Sequence, residues 1–198
     1  MQKLRYVLMM FLAIGFCCIF MACTPKKNVG QNDINMDSVI YSEITFVKLP
    51  RMKIASHTVI NSDPEGEAIN IMDNWARKNE LLSLMDYVPR KFGWDYPHLS
   101  AEQKVKNYRG YGYCYVLPED FTPKNDDVDI HYLEAGEYAV LRIMFPFSNP
   151  SEKIPNGWKK LSDYILNSQY NPNLDLYFME EVILINGITY MDLYFPIL

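Results

Sequence analysis

The chain has 198 residues, 12 Pro, 9 Gly and a formal net charge of −5, with 49% hydrophobic and 14% aromatic residues. An acidic chain without a basic run is a poor partner for nucleic acid, whose phosphates need Lys and Arg. No electrostatic attraction to an anionic membrane is expected either.

Residues 1–22 read as an export signal. Lys3 and Arg5 form a short basic start, Val7 to Met21 is an almost unbroken apolar run, and Ala22 precedes Cys23. A small residue before a cysteine is the layout of a bacterial lipobox, in which the thiol is acylated and becomes the new N-terminus. The run is shorter than the roughly 20 apolar residues of a membrane-spanning helix. The expected location is therefore the cell envelope, lipid-anchored through Cys23 and facing the periplasm or the surface. Without Lys3 and Arg5 the charge moves from −5 to about −7. Residues 23–41 are polar and read as a flexible tether. Cys17 and Cys18 leave with the signal, so Cys114 alone remains unmodified and no internal disulfide is expected.

Residues 42–198 hold one domain. Ile44 to Leu49 and Lys53 to Ile60 are extended, broken at Pro50. Asn61-Ser62-Asp63-Pro64 starts a helix reaching about Glu80, with Ile69, Met72, Trp75 and Ala76 on one face. Lys91 to Trp94 is a short strand, and Ser100 to Lys106 a loop or helical turn. Tyr108 to Leu117 is a strand with Tyr111, Tyr113 and Tyr115 on one side and Cys114 and Val116 on the other. Asp129 to Leu133 and Glu137 to Phe145 read as a hairpin about Ala135-Gly136. A second helix, about Ile154 to Ser168, carries Ile154, Trp158, Leu161 and Ile165 on one face. Leu176 to Leu184 and Ile188 to Ile197 form a hairpin closed by Asn186-Gly187, a pair that favours a type I′ turn. The order strand, helix, strand, strand thus occurs twice, each time with one helical Trp, Trp75 and Trp158. The fold class is α+β. Neither repeat buries its sheet face alone, so the two form one domain.

Glu180 is the leading site residue: a carboxylate on a mostly apolar strand is either solvated or needs a partner or a raised pKa. Its neighbour Glu181 must point the other way, and the sequence leaves open which of the two faces the site. Tyr190 and Tyr194 alternate as Tyr111 and Tyr113 do, so all are candidates for one aromatic face. Trp94 and Trp158 are core anchors or cleft walls. Asp192 is a further carboxylate between Tyr190 and Tyr194. His57, His98 and His131 have no metal-ligand spacing, Cys114 has no partner, and Asp126 to Asp129 lacks a calcium-loop pattern, so no metal and no cofactor are expected.

In order and spacing, several segments resemble the GyrI-like small-molecule-binding domain, the AraC-type effector-binding domain. They are Pro50 after a strand, helical Trp75, Asp95-Tyr96-Pro97 leading into Tyr111 to Cys114, and Gly136 to Val140. Helical Trp158, Ser168-Gln169-Tyr170, Glu180 and terminal Tyr194 to Ile197 complete the set. The resemblance covers residues 42–198. It implies a duplicated repeat with two main helices, an antiparallel sheet and a central cleft, the helices on one side and the cleft on the other. It also implies a carboxylate in an aromatic cleft at Glu180; the alternating Tyr111, Tyr113 and Tyr190, with Trp94 and Trp158, are the candidate ligand contacts around it.

The leading reading is a lipid-anchored, monomeric, non-catalytic module for a small amphipathic molecule, cationic or otherwise. One rival is a hydrolase of a strained electrophile with Glu180 as general base. The other is an envelope lipoprotein that docks proteins on its aromatic surface.

Overall fold

The computed structural model describes residues 40–84, 87–125 and 127–198; the signal segment, Cys23 and most of the tether lie outside these. The elements run β1 (Thr45–Leu49), β2 (Met52–Asn61), α1 (Pro64–Lys78), β3 (Lys91–Asp95), α2 (Ala101–Val105) and β4 (Arg109–Val116). Then come β5 (Asp129–Leu133), β6 (Gly136–Met144), α3 (Pro150–Leu166), β7 (Met179–Ile185) and β8 (Ile188–Ile197). All strands join one antiparallel sheet in the order β1-β6-β8-β7-β3-β4-β2-β5.

Local chemistry accounts for most element ends. Pro64 occupies the first turn of α1, Glu65 and Glu67 sit at its positive end, and Arg77 and Lys78 at its negative end. Its buried face is Ala68, Met72, Trp75 and Ala76, so Ala68 rather than Ile69 leads the stripe. Ser100 and Gln103 form a reciprocal capping box that starts α2. Asn186 and Gly187 both take positive φ, 50° and 79°, between β7 and β8, as the type I′ expectation requires. α3 starts at Pro150, earlier than the periodicity predicts, because Pro150 serves as a first-turn residue.

Two expectations change. The predicted hairpin of β5 and β6 does not form. β5 pairs with β2, while β6 pairs with β1 and β8. Glu134 and Ala135 carry the chain from one half of the sheet to the other, and Pro50 and Arg51 do the same between β1 and β2. Arg51 Nε donates to Glu134 Oε1 at 3.3 Å, so the two crossings lie side by side. Each half therefore contains a strand-helix-strand-strand repeat plus an edge strand that precedes the other repeat in the chain. The tether also ends sooner than expected. Tyr41 is buried, bridges Ile143 of β6, and donates from its hydroxyl to the Lys153 carbonyl.

Because β1 and β2 are joined by two residues yet lie at opposite ends of the sheet, the sheet must curl. Its inner face is one continuous core. Leu49, Met52 and Leu133 from the two ends meet Phe92, Trp94, Met179 and Tyr194 from the middle. The outer face carries the helices. α3 buries Leu161 and Ile165 against Ile143, Leu193 and Phe195. α1 buries Met72 and Trp75 against Ala55 and Tyr115. These two outer clusters are separate, and the gap between them overlies the junction of β3 with β7.

Candidate functional site

The β3–β7 junction is a single paired position, Gly93 opposite Glu180. Antiparallel partners share a face, so the row across the sheet is Leu193, Glu180, Gly93, Tyr113 and His57. This is the helix-bearing face. Glu180 thus sits between the two helical clusters, on the same side as the helices and not on the side opposite them. Glu181 points to the inner face.

Trp158 Nε1, on α3, donates to Glu180 Oε1 at 2.8 Å. The indole is half-buried, with one edge in the α3 cluster and its N–H over the junction. From the other half, the Tyr111 phenol lies over Gly93, where any side chain would collide with it. Glycine is needed here so that Tyr111 can approach the strand that Glu180 pairs with. Trp158 and Tyr111 therefore bracket the carboxylate, one from each repeat, and Tyr113 continues the row.

Glu180 is partly open to solvent but densely surrounded by protein atoms. Burial pushes its carboxyl from the ordinary 4.5 up to about 7. The Trp158 hydrogen bond opposes this, Asp95 and Glu65 add to it, and Arg109 opposes it. Arg109 is engaged elsewhere: it pairs with Glu65 and stands 3.9 Å from Asp95. The Tyr111 phenol is also raised, by burial first and by the Glu180 charge second.

The buried carboxylates of the sheet are different. Glu181 receives a two-pronged contact from Arg90, Nε at 2.8 Å and Nη2 at 2.7 Å, and a Tyr194 hydroxyl at 2.6 Å. Asp192 receives the same fork from Arg142 at 2.6 and 2.7 Å. Both are neutralised within the fold. Glu180 forms no ion pair among the described residues.

Four sequence-predicted residues thus come together: Glu180, Tyr111, Tyr113 and Trp158. Two do not. Trp94 alternates with Gly93 and faces inward, where it is buried and stacks on Tyr177 with centroids 4.8 Å apart. Tyr190 pairs with Ile183 and Met144, and lies on the inner face beside Arg142. The tyrosines of β4 and β8 alternate correctly within each strand, but the register puts Leu193, not Tyr194, beside Glu180. Asp192 goes inward with Tyr190 and Tyr194. Reasoning on the sequence missed Gly93, Asp95, Glu65 and Arg109; a glycine inside a short strand was the available signal. Among the described residues no group of three His, Cys, Asp or Glu could hold a metal ion. Cys114 is fully buried, and burial pushes its thiol up to about 12, which makes it inert.

A family model for the GyrI-like small molecule binding domain matches residues 42–198, and the chain belongs to that family. The solved EcmrR–DNA complex shares the fold at a TM-score of 0.58 and 13% identity, covering 80% of this chain. The chain spans only 58% of the length of that protein. The EcmrR C-terminal domain gives a TM-score of 0.56 at 11% identity, covering 79% of this chain and 97% of that one. A hydrolase from Listeria innocua gives 0.51 at 10% identity, covering 78% and 91%. At such identities the likeness establishes the fold alone. A comparison with curated proteins found no match.

Proposed function

We propose that the protein is a lipid-anchored binding module that holds a small amphipathic molecule, cations in particular, between its two helical clusters against Glu180. One observation carries this reading. Of the carboxylates on the central strands, buried Glu181 and Asp192 have guanidinium partners, while half-buried Glu180 has none among the described residues. An unpaired carboxylate in such surroundings favours a cation from outside. Coulomb attraction acts at the carboxylate, and the rings of Trp158 and Tyr111 add cation–π attraction. Nearby Asp95 and Glu65 against the single Arg109 leave the surroundings acidic. A DNA-binding role, as in the EcmrR–DNA complex, finds no support in the acidic charge of this chain.

The test is calorimetric titration with the cationic dye crystal violet and its uncharged leuco form. Glu180→Gln is expected to weaken the dye by roughly 1–3 kcal/mol, the scale of a charge-assisted contact in a desolvated site. The leuco form should be affected less. Equal affinity of wild type and mutant for the cation would overturn the role of Glu180.

The raised carboxyl also supports a second reading. A group that titrates near 7 suits a general base, and the Tyr111 phenol is placed to polarise a substrate over Gly93. In this hydrolase reading, Glu180 takes the proton of a water that attacks a strained electrophile, and the opened product takes up a proton. Turnover of an epoxide probe that is lost in Glu180→Gln, with binding retained, would favour it.

Anchoring rests on Lys3, Arg5, the apolar run and Cys23. Cys23→Ser is expected to leave the membrane fraction, or to stay uncleaved with its signal attached. Normal maturation and membrane retention of this variant would overturn the lipid anchor.

A further inference from the structure

On the inner face, away from Glu180, a depression of about 350 Å³ opens beside the free end of β2. β5 covers β2 only as far as Ser56, which stands opposite Asp129. Thr58 lies beyond that point, on the row Thr58–Gly112–Trp94. Trp94 packs over Gly112, with Cε2, Nε1 and Cζ2 of its indole at the position a side chain would fill. Gly112 therefore lets Trp94 lean toward Thr58 and present its N–H to the depression. Tyr177 stacks on the indole at 26°, and Tyr96 completes an aromatic wall. Asp129 and His131, two positions apart on β5, share the opposite wall.

Trp94 is 3% exposed and Ser56 4%. Yet among the described residues none of the side chains of Ser56, Thr58, Trp94, Tyr96, Asp129, His131 or Tyr177 makes a hydrogen bond to the protein. Asp129 and Tyr177 are exposed and Thr58, Tyr96 and His131 half-buried, and the polar atoms of Trp94 and Ser56 are not sealed either, since among the described residues Trp75 Nε1 alone is a buried polar atom without a partner. Seven convergent side chains with unused hydrogen-bonding capacity have the composition of a ligand site rather than of a core.

The donor and acceptor inventory narrows the occupant. The indole N–H needs an acceptor, which a quaternary ammonium does not offer. Asp129 opposes an anion. The hydroxyls and the imidazole both donate and accept. The aromatic wall needs a flat apolar patch. A pyranose ring meets all four conditions, with C–H groups for the aromatic wall, vicinal hydroxyls for the carboxylate, and oxygens for the indole N–H. The volume suits one or two rings.

We propose that this depression is a second binding site, for a neutral mono- or disaccharide, independent of the site at Glu180. The protein has three tryptophans, so its indole N–H region shows three signals by nitrogen-15 NMR, and Trp94→Phe identifies that of Trp94. The protein is titrated with D-glucose, D-galactose, N-acetyl-D-glucosamine and maltose. With at least one of them the Trp94 signal is expected to move saturably in the millimolar range while those of Trp75 and Trp158 stay. Tyr177→Ala and Asp129→Ala should each weaken that sugar at least about tenfold, and Glu180→Gln should leave it unchanged. The proposal is overturned if no sugar moves the Trp94 signal saturably. It is also overturned if Trp158 responds in place of Trp94, or if tetramethylammonium alone produces the shift.

Discussion

Glu180 and Glu181 are adjacent in sequence and opposite in circumstance. One is clasped by Arg90 and Tyr194, the other is met by a single indole N–H. Holding an ionised carboxylate at a site where its pKa rises from 4.5 to about 7 costs on the order of 3 kcal/mol. The sign follows from linkage. Between those pH values the folded chain binds more protons than the unfolded one, so stability falls as pH rises through the window and is level above it. Cation binding needs the ionised form and so rises over the same interval. Melting temperature and crystal violet affinity, measured from pH 4.5 to 8, should therefore move in opposite directions, and Glu180→Gln should flatten both. Parallel trends would count against the raised carboxyl. Gly93→Ala gives a second test, because its methyl displaces the Tyr111 phenol. We expect at least a tenfold loss of dye affinity, about 1.4 kcal/mol, with the fold retained by circular dichroism. An acidic pair on an apolar strand made Glu180 a candidate in the sequence. That Tyr111 and Trp158 join it while Trp94 and Tyr190 do not was hidden, because period-two alternation fixes which side chains share a face within a strand but not which face that is.

At the scale of elements, the weak point of the sheet is the β3–β7 seam, with its single paired position. Arg90, just before β3, reaches Glu181 of β7 and Tyr194 of β8 and so clasps the halves from the inner side. Arg90→Ala leaves Glu181 buried without its cation and is expected to destabilise by roughly 3–5 kcal/mol, read as a lowered denaturation midpoint. Adding Glu181→Gln should cost less than the two changes summed, since they share one contact. A shift below about 0.5 kcal/mol for Arg90→Ala would show that the seam does not depend on this clasp. The two long helices and the Asn186-Gly187 turn were legible because each is decided within a few residues. The pairing of β5 with β2 was not, because Ala135-Gly136 looks like a hairpin turn. The strand pairing shows that the chain crosses between halves there, with the Leu176 side chain seated against Gly136 and Arg51 bonded to Glu134.

For the whole molecule, the duplication was legible as a repeated order of elements, and the curl followed from two short connections that no local pattern announces. The exchange of edge strands across those connections has a consequence for how the chain reaches its folded state. A nick between Leu117 and Asp129 would leave two pieces, each with one strand that belongs to the other piece's half. Neither piece can complete its own four-stranded unit, so each should remain unfolded alone, while mixing them should restore native dichroism. Independent folding of either piece would contradict this. Strand pairing between β1 and β6 must also wait for residues about 90 positions downstream to become available. A chain of this design folds late and as a unit, through complementation of its halves rather than by successive addition of repeats.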